Sequence, residues 1–201
     1  MKNTKQTLIR VLKMLLIMTI LCGIIYPLIV TGISMVFFKD KSNGSIIEIN
    51  GVKYGSELLG QQYTGDECLW GRVMILDTNT FTDKNGDKTM YAVASNISPA
   101  SKEYESLIKE RIGKLLKSNP GTDVSKIPVD LVTCSGSGLD PNISVEAAEF
   151  QIDRIAKTRN MAKEDVSAVI KKYTTTRFLG IFGENVVNVL KVNLALDGIL
   201  K

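Results

Sequence analysis

From Met14 to Phe38 the chain reads MLLIMTILCGIIYPLIVTGISMVFF, 25 residues without a charged side chain. Crossing the hydrocarbon core of a bilayer takes about 20 apolar residues at about 1.5 Å of rise each, so this run is long enough to span with some tilt. A helix at the surface of a soluble core keeps one polar face, and this stretch has none. It is read as a single transmembrane helix over residues 14–38. A cleaved signal peptide carries about 7–15 apolar residues and a small-residue cleavage site. This run is longer and ends in the bulky Met35, Val36, Phe37 and Phe38. A lipoprotein leader would use Cys22, but Leu21 stands where a small residue belongs.

Charge sets the expected direction of that helix. Lys2, Lys5, Arg10 and Lys13 precede it, and Lys39, Asp40 and Lys41 follow it. Positive charge collects on the cytoplasmic flank, so residues 1–13 form a basic cytoplasmic N-terminus and residues 39–201 an extracytoplasmic domain. The fold class is α+β: one N-terminal transmembrane helix followed by one mixed α/β domain outside the cytoplasm. Thr19, Gly23, Pro27 and Thr31 recur every fourth residue along the helix. Small and polar groups so spaced are expected to form a packing face for other membrane helices.

The net charge of +4 comes from the membrane flank. All 21 acidic residues follow Phe38 and are matched there by as many basic ones, so the domain is neutral and gives no nucleic-acid signal. It is large enough to bury a core without disulfide staples. Of three cysteines, Cys68 and Cys134 lie in the domain, where a bridge is possible in an oxidising exterior. The chain has no histidine, which excludes His-dependent triads and most zinc sites.

Along the domain, Asn50-Gly51 between Ile46–Ile49 and Val52–Tyr54 predicts a two-residue hairpin. Residues Asn79 to Lys88 read as a polar surface loop, not an EF-hand: counting from Asp83, the sixth and twelfth places hold Lys88 and Ala94. Ser98 followed by Pro99 predicts a capped helix running to about Lys117, with Tyr104, Leu107, Ile108, Ile112 and Leu115 inward. A short strand is expected near 128–134, then a Gly/Ser loop. A helix capped by Ser144 follows, burying Val145, Ala148, Ile152 and Ile155. Another helix is expected over Lys163 to Tyr173, and residues 183–197 fit strand or helix equally.

The loop Ser135-Gly136-Ser137-Gly138 is the one candidate ligand site, since a glycine loop before a helix N-terminus can cradle phosphate. It lacks the Lys-Ser/Thr of a P-loop and the third glycine of a dinucleotide fingerprint, and Asp140 would repel phosphate. A structural turn bringing two backbones together explains it better. No catalytic residue is expected. A Ser-Lys hydrolase would need a lysine near Ser135 or Ser137, and none is close in sequence.

The stretch Thr133 to Ser144 (TCSGSGLDPNIS), with Ala147, Ala148 and Gln151 after it, resembles the C-subunit family of the bacterial Kdp potassium-transporting ATPase. Thr133, Ser135, Gly136, Ser137, Gly138, Leu139, Asp140, Pro141, Ile143, Ser144 and Gln151 carry the motif, and Asn188, Asn193 and Asp197 extend it. Gly55-Ser56, Leu59-Gly60-Gln61, Ser95-Asn96 and Pro99 agree as well, so the resemblance covers nearly the whole chain. The chain departs where the family has Phe and Arg-Pro-Ser-Ala: here stand Trp70-Gly71-Arg72 and Val73-Met74-Ile75. Ala162 replaces a capping serine.

The resemblance implies an accessory, non-catalytic subunit of a four-part pump. Its partners would be a channel-like potassium-selecting subunit, a P-type ATPase subunit and a small membrane peptide. The family is also credited with raising ATP affinity as a catalytic chaperone, through the loop at Ser135, Gly136, Ser137 and Gly138. With the topology above that loop faces away from cytoplasmic ATP across about 30 Å of hydrocarbon. Coupling would then pass through a conformational equilibrium rather than contact.

Overall fold

A computed structural model describes residues 2–201, and Met1, the start of the basic segment, lies outside the described residues. The chain divides into two units, residues 2–46 and 47–201.

The first unit is helical from its first described residue. Helix α1 (Lys2–Ile20) passes through one π turn (Leu21–Ile25) into α2 (Tyr26–Phe37), so the basic segment expected to precede the span is helical too. Asn3–Phe37 makes a 35-residue helix long and apolar enough to cross a membrane. The π turn has a local cause. Pro27 has no N–H to offer the carbonyl of Gly23, and its ring would crowd that carbonyl in a regular helix. The wider turn, closed from the Tyr26 N–H to the Leu21 carbonyl, removes the conflict. In a regular helix each fourth residue drifts by about 40°. The wider turn reduces that drift, so Thr19, Gly23 and Pro27 lie closer to one line. A single helical turn, α3 (Lys39–Ser42), follows.

Next comes the hairpin of β1 (Ile46–Ile49) and β2 (Val52–Ser56), all but Ile46 in the second unit. Asn50 and Gly51 both take positive φ, 54° and 78°, as the predicted tight turn requires. The polar stretch expected as a loop at 79–88 is mostly a second hairpin, β3 (Ile75–Thr82) with β4 (Lys88–Val93). Phe81 pairs with Thr89 and packs edge-on against Tyr91 at 5.0 Å, and these β-forming residues outweigh the polar ones. Only 83–87 remain as loop.

Helix α4 (Lys102–Ser118) is capped by Ser101, not Ser98, and starts three residues later than expected. Ser98 instead closes a turn: its carbonyl accepts from the Ser101 N–H and its hydroxyl from the Ala100 N–H. The strand expected near 128–134 is a 3₁₀ turn (Val129–Leu131), with one parallel bridge from Cys134 to Val73.

From there the fold is regular. Strand β5 (Asn142–Ser144) runs directly into α5 (Val145–Glu149), capped by the Ser144 hydroxyl as predicted. Helices α6 (Ile152–Arg159) and α7 (Lys163–Lys172), strands β6 (Thr174–Thr175) and β7 (Val186–Asn188), and α8 (Val189–Leu196) follow. The ambiguous tail is therefore both, a strand and then a helix capped by Asn188. The sheet is antiparallel in the order β5-β7-β6, and Ile143 pairs with Val187 at its buried centre.

One long helix was expected from Val145, yet it breaks between α5 and α6. The Gln151 side chain donates to the Ala147 carbonyl, the acceptor that its own N–H would use in a regular helix. The Gln151 N–H turns to Ala148 instead. Ile155, Val166, Val187 and Val192 close the core around this break with no exposed surface. The N-cap position of α7 is Ala162, which offers no side-chain cap. Ala162→Ser should raise stability by about 1 kcal/mol, read as a shifted urea midpoint of the solubilised chain.

Candidate functional site

At the centre of the domain is an irregular segment, residues 65–74, with a turn at 65–68 and no strand pairing beyond the bridge of Val73 to Cys134. Buried backbone polar groups need partners, and here side chains supply them. Asn193, 1% exposed, accepts from the Leu69 N–H (2.7 Å) and donates to the Leu69 carbonyl (2.9 Å). Gln151, fully buried, does the same for Trp70, accepting at 2.8 Å and donating at 3.0 Å. Two amide side chains thus take the place of a neighbouring strand.

Two arginines extend the clamp. Arg154 donates to the carbonyls of Asp66 and Cys68 and to Gln151 Oε1. Its guanidinium lies 4.2 Å from the Trp70 ring centroid, a cation–π contact in a desolvated place. Burial pushes its pKa down to about 10, which leaves it a cation at neutral pH. Arg159 holds the Glu67 and Leu196 carbonyls and pairs with Asp197 at 2.7 Å. Burial and the neighbouring Glu67 carboxylate push the Cys68 thiol up, so it stays protonated. Cys68 and Cys134 are both free thiols.

The far end of the same segment meets the motif loop. Arg72 lies 3.6 Å from Asp130 and 3.8 Å from Asp140, and it donates to Thr133 Oγ1 and the Cys134 carbonyl. Asp130 accepts the Ser144 N–H, and Asp140 accepts the Asn142 N–H. Leu139 accepts from the Gly60 N–H through its carbonyl, and Pro141 from the Val189 N–H. Ser135 and Ser137 hydroxyls lie 3.3 Å apart. They accept from the Asp140 and Leu139 N–H groups, and the Gly138 N–H donates to the Ser135 carbonyl. Three of the amides that a phosphate cradle would use are bonded within the turn.

The two glycines of the loop differ. Gly138 has φ +73°, and a Cβ there would sit 2.4 Å from the Val93 carbonyl oxygen. A Cβ on Gly136 would meet open space. The loop is thus a close approach of two backbones. Beside it is a cleft of about 400 Å³ whose lining includes Arg72, Asp130, Asp140, Ser144, Glu146 and Glu184.

The residues named from sequence fall into two groups. Thr133 to Ser144 and Asn188 surround the Arg72 end, where Asn188 donates to the Glu57 carbonyl and caps α8. At the other end Gln151 and Asn193 bond Trp70 and Leu69, and Asp197 pairs with Arg159, which holds the Glu67 carbonyl. Arg72, Arg154 and Arg159 were not singled out. The available signal was Gln151 and Arg154, polar residues at the helical positions where Ala148 and Ile155 face inward.

Fold and site together describe a class: an α+β domain on one membrane-length apolar helix, with its motif residues committed to its own backbone. The chain belongs to the KdpC family, the c chain of the K+-transporting ATPase, which matches residues 8–198. It is 58% identical over 201 residues to the potassium-transporting ATPase KdpC subunit of Clostridium perfringens, and 57% identical to that of Clostridium botulinum. Both alignments cover all of each chain. The Clostridioides difficile subunit is 42% identical, over 97% of this chain and 98% of that one. The protein is accordingly a subunit of a potassium-transporting ATPase complex.

Gly138→Ala should cost about 3 kcal/mol, because strain at positive φ adds to the collision with Val93. Gly136→Ala should change stability by less than about 0.5 kcal/mol. Denaturant titration of the two variants side by side reads the contrast. Asn193→Ala, which strips both partners from buried Leu69, should cost about 3 kcal/mol in the same assay.

Proposed function

We propose that this chain is a non-catalytic accessory subunit that caps the outer side of the pump's potassium-selecting subunit and supports assembly of the complex. The observation that carries the reading is the charge asymmetry of its one apolar helix. Lys2, Lys5, Arg10 and Lys13 stand before the run and only Lys39, Asp40 and Lys41 after it. By the positive-inside rule residues 1–13 are cytoplasmic, 14–38 span the membrane and 39–201 lie outside.

The stripe of Thr19, Gly23, Pro27 and Thr31 packs the helix against the pump's membrane subunits, small residues allowing a close approach. The domain's matched charges let potassium approach without a strong long-range field. The P-type ATPase subunit and a small membrane peptide complete the set of partners. Direct contact of ATP with Ser135, Gly136, Ser137 and Gly138 would require a cytoplasmic domain, and the turn already uses the Gly138 N–H and both serine hydroxyls. An effect on ATP affinity is therefore transmitted through the pump's conformational equilibrium.

External protease on intact cells should digest the domain, and a tag after Lys201 should be reachable without permeabilisation. Protection until the membrane is opened overturns the cap. Deleting the chain should abolish potassium-stimulated ATPase activity of the purified complex; unchanged activity and assembly overturn the accessory role.

A further inference from the structure

Inside a bilayer every backbone carbonyl needs a hydrogen-bond donor, because hydrocarbon holds no water to supply one. A regular helix draws these donors from its own ladder. The π turn at Leu21–Ile25 interrupts that ladder next to Pro27.

The carbonyl of Cys22 would take its bond from residue 26 in an α turn or from residue 27 in a π turn. The Tyr26 N–H goes to the Leu21 carbonyl instead. Residue 27 is proline and has no N–H to give. Gly23 is little better placed. Its α-turn donor is again Pro27, and its π-turn donor, Leu28, is the one that Ile24 uses in a regular turn. Side chains of the same helix do not fill the gap. Ile25 has no donor, and the Tyr26 hydroxyl stands at the far end of its ring.

The position is deep and open. Cys22 lies about 12 Å along the helix from Met14, well inside a hydrocarbon layer of about 30 Å. Gly23 carries no side chain, and the nearest side-chain atom to a Cβ built there is Thr19 Cγ2, at 4.0 Å. A neighbouring helix can therefore come close to the peptide that joins Cys22 to Gly23.

We propose that the Cys22 carbonyl is a docking point within the membrane, accepting a hydrogen bond from a hydroxyl or amide side chain on a membrane helix of another subunit. The inference rests on the reading of residues 14–38 as a span packed against the pump's membrane subunits, and it names the group that makes the contact. Lipid tails carry no donor, and water is excluded at this depth, so a protein side chain is the occupant that the chemistry fits. The chain is one subunit of a larger complex, whose other membrane helices can bring that side chain. One polar contact in an otherwise apolar interface fixes the depth and rotation of the helix, as a lone polar residue fixes register in a coiled coil.

The test puts an isotope label on the carbonyl carbon and oxygen of Cys22 in the full chain and follows its amide I band in bilayer discs. On assembly with the other subunits the band should move to lower frequency, the mark of a newly accepted hydrogen bond. In Pro27→Ala the restored N–H closes a regular turn, so the band should be low before assembly and stay there. Gly23→Leu blocks the approach while keeping the span apolar. It should remove the shift and weaken binding of the full chain to the rest of the complex roughly threefold to tenfold. A wild-type band that is already low in the isolated chain, or that assembly leaves in place, overturns the proposal, as does full affinity in Gly23→Leu. The two readings fail separately: assembly without the band shift removes only this contact, whereas unchanged activity and assembly after deletion of the chain remove the accessory role itself.

Discussion

Two buried amide side chains hold this domain together. Gln151 and Asn193 give the backbone of Leu69 and Trp70 the bonds that a flanking strand would give. Desolvating four backbone groups costs several kcal/mol when they go unpaired, and each amide offers one donor and one acceptor at the required spacing. The substitute strand is assembled from two helices, α6's leading edge and α8, so the packing of those helices is fixed by the same bonds. The Gln151 contact breaks the α5–α6 helix, and Arg154 on the next turn covers Trp70.

A polar network at the core explains why a motif that looks ligand-binding carries so few free groups. The two serine hydroxyls, the Gly138, Leu139 and Asp140 amides and the Asp140 carboxylate are bonded within the turn or to Arg72. Arg72 links that turn to the clamped segment. The family signature and the clamp are one continuous structure rather than a site laid over a scaffold.

Much of the fold was legible where its cause is local. Asn50-Gly51 dictated a tight hairpin, Ser144 capped α5, and α7 appeared within one residue of the expected end. Reading failed where two local options compete: Ser98 and Ser101 are both good caps, and the hydroxyl of Ser98 was taken by a turn. It failed again where the cause is distant. The helix break at Gln151 answers to Trp70, 81 residues away, and nothing near 128–134 shows that the apolar run lacks a partner strand. Gln151, Asn193 and Asp197 were named by resemblance, but the target that Gln151 and Asn193 share, the backbone of Leu69 and Trp70, could not be read from spacing.

The reach of the Asn193 contact also bears on how the chain matures. It joins residues 124 positions apart, and Asn193 lies in α8. Contacts of such separation form late, after their loop-closure entropy has been met. Until α8 docks, the Leu69 N–H and carbonyl lack these partners. Docking of α8 is therefore the step that gives Leu69 its buried partners, and the local elements between the two can form before it.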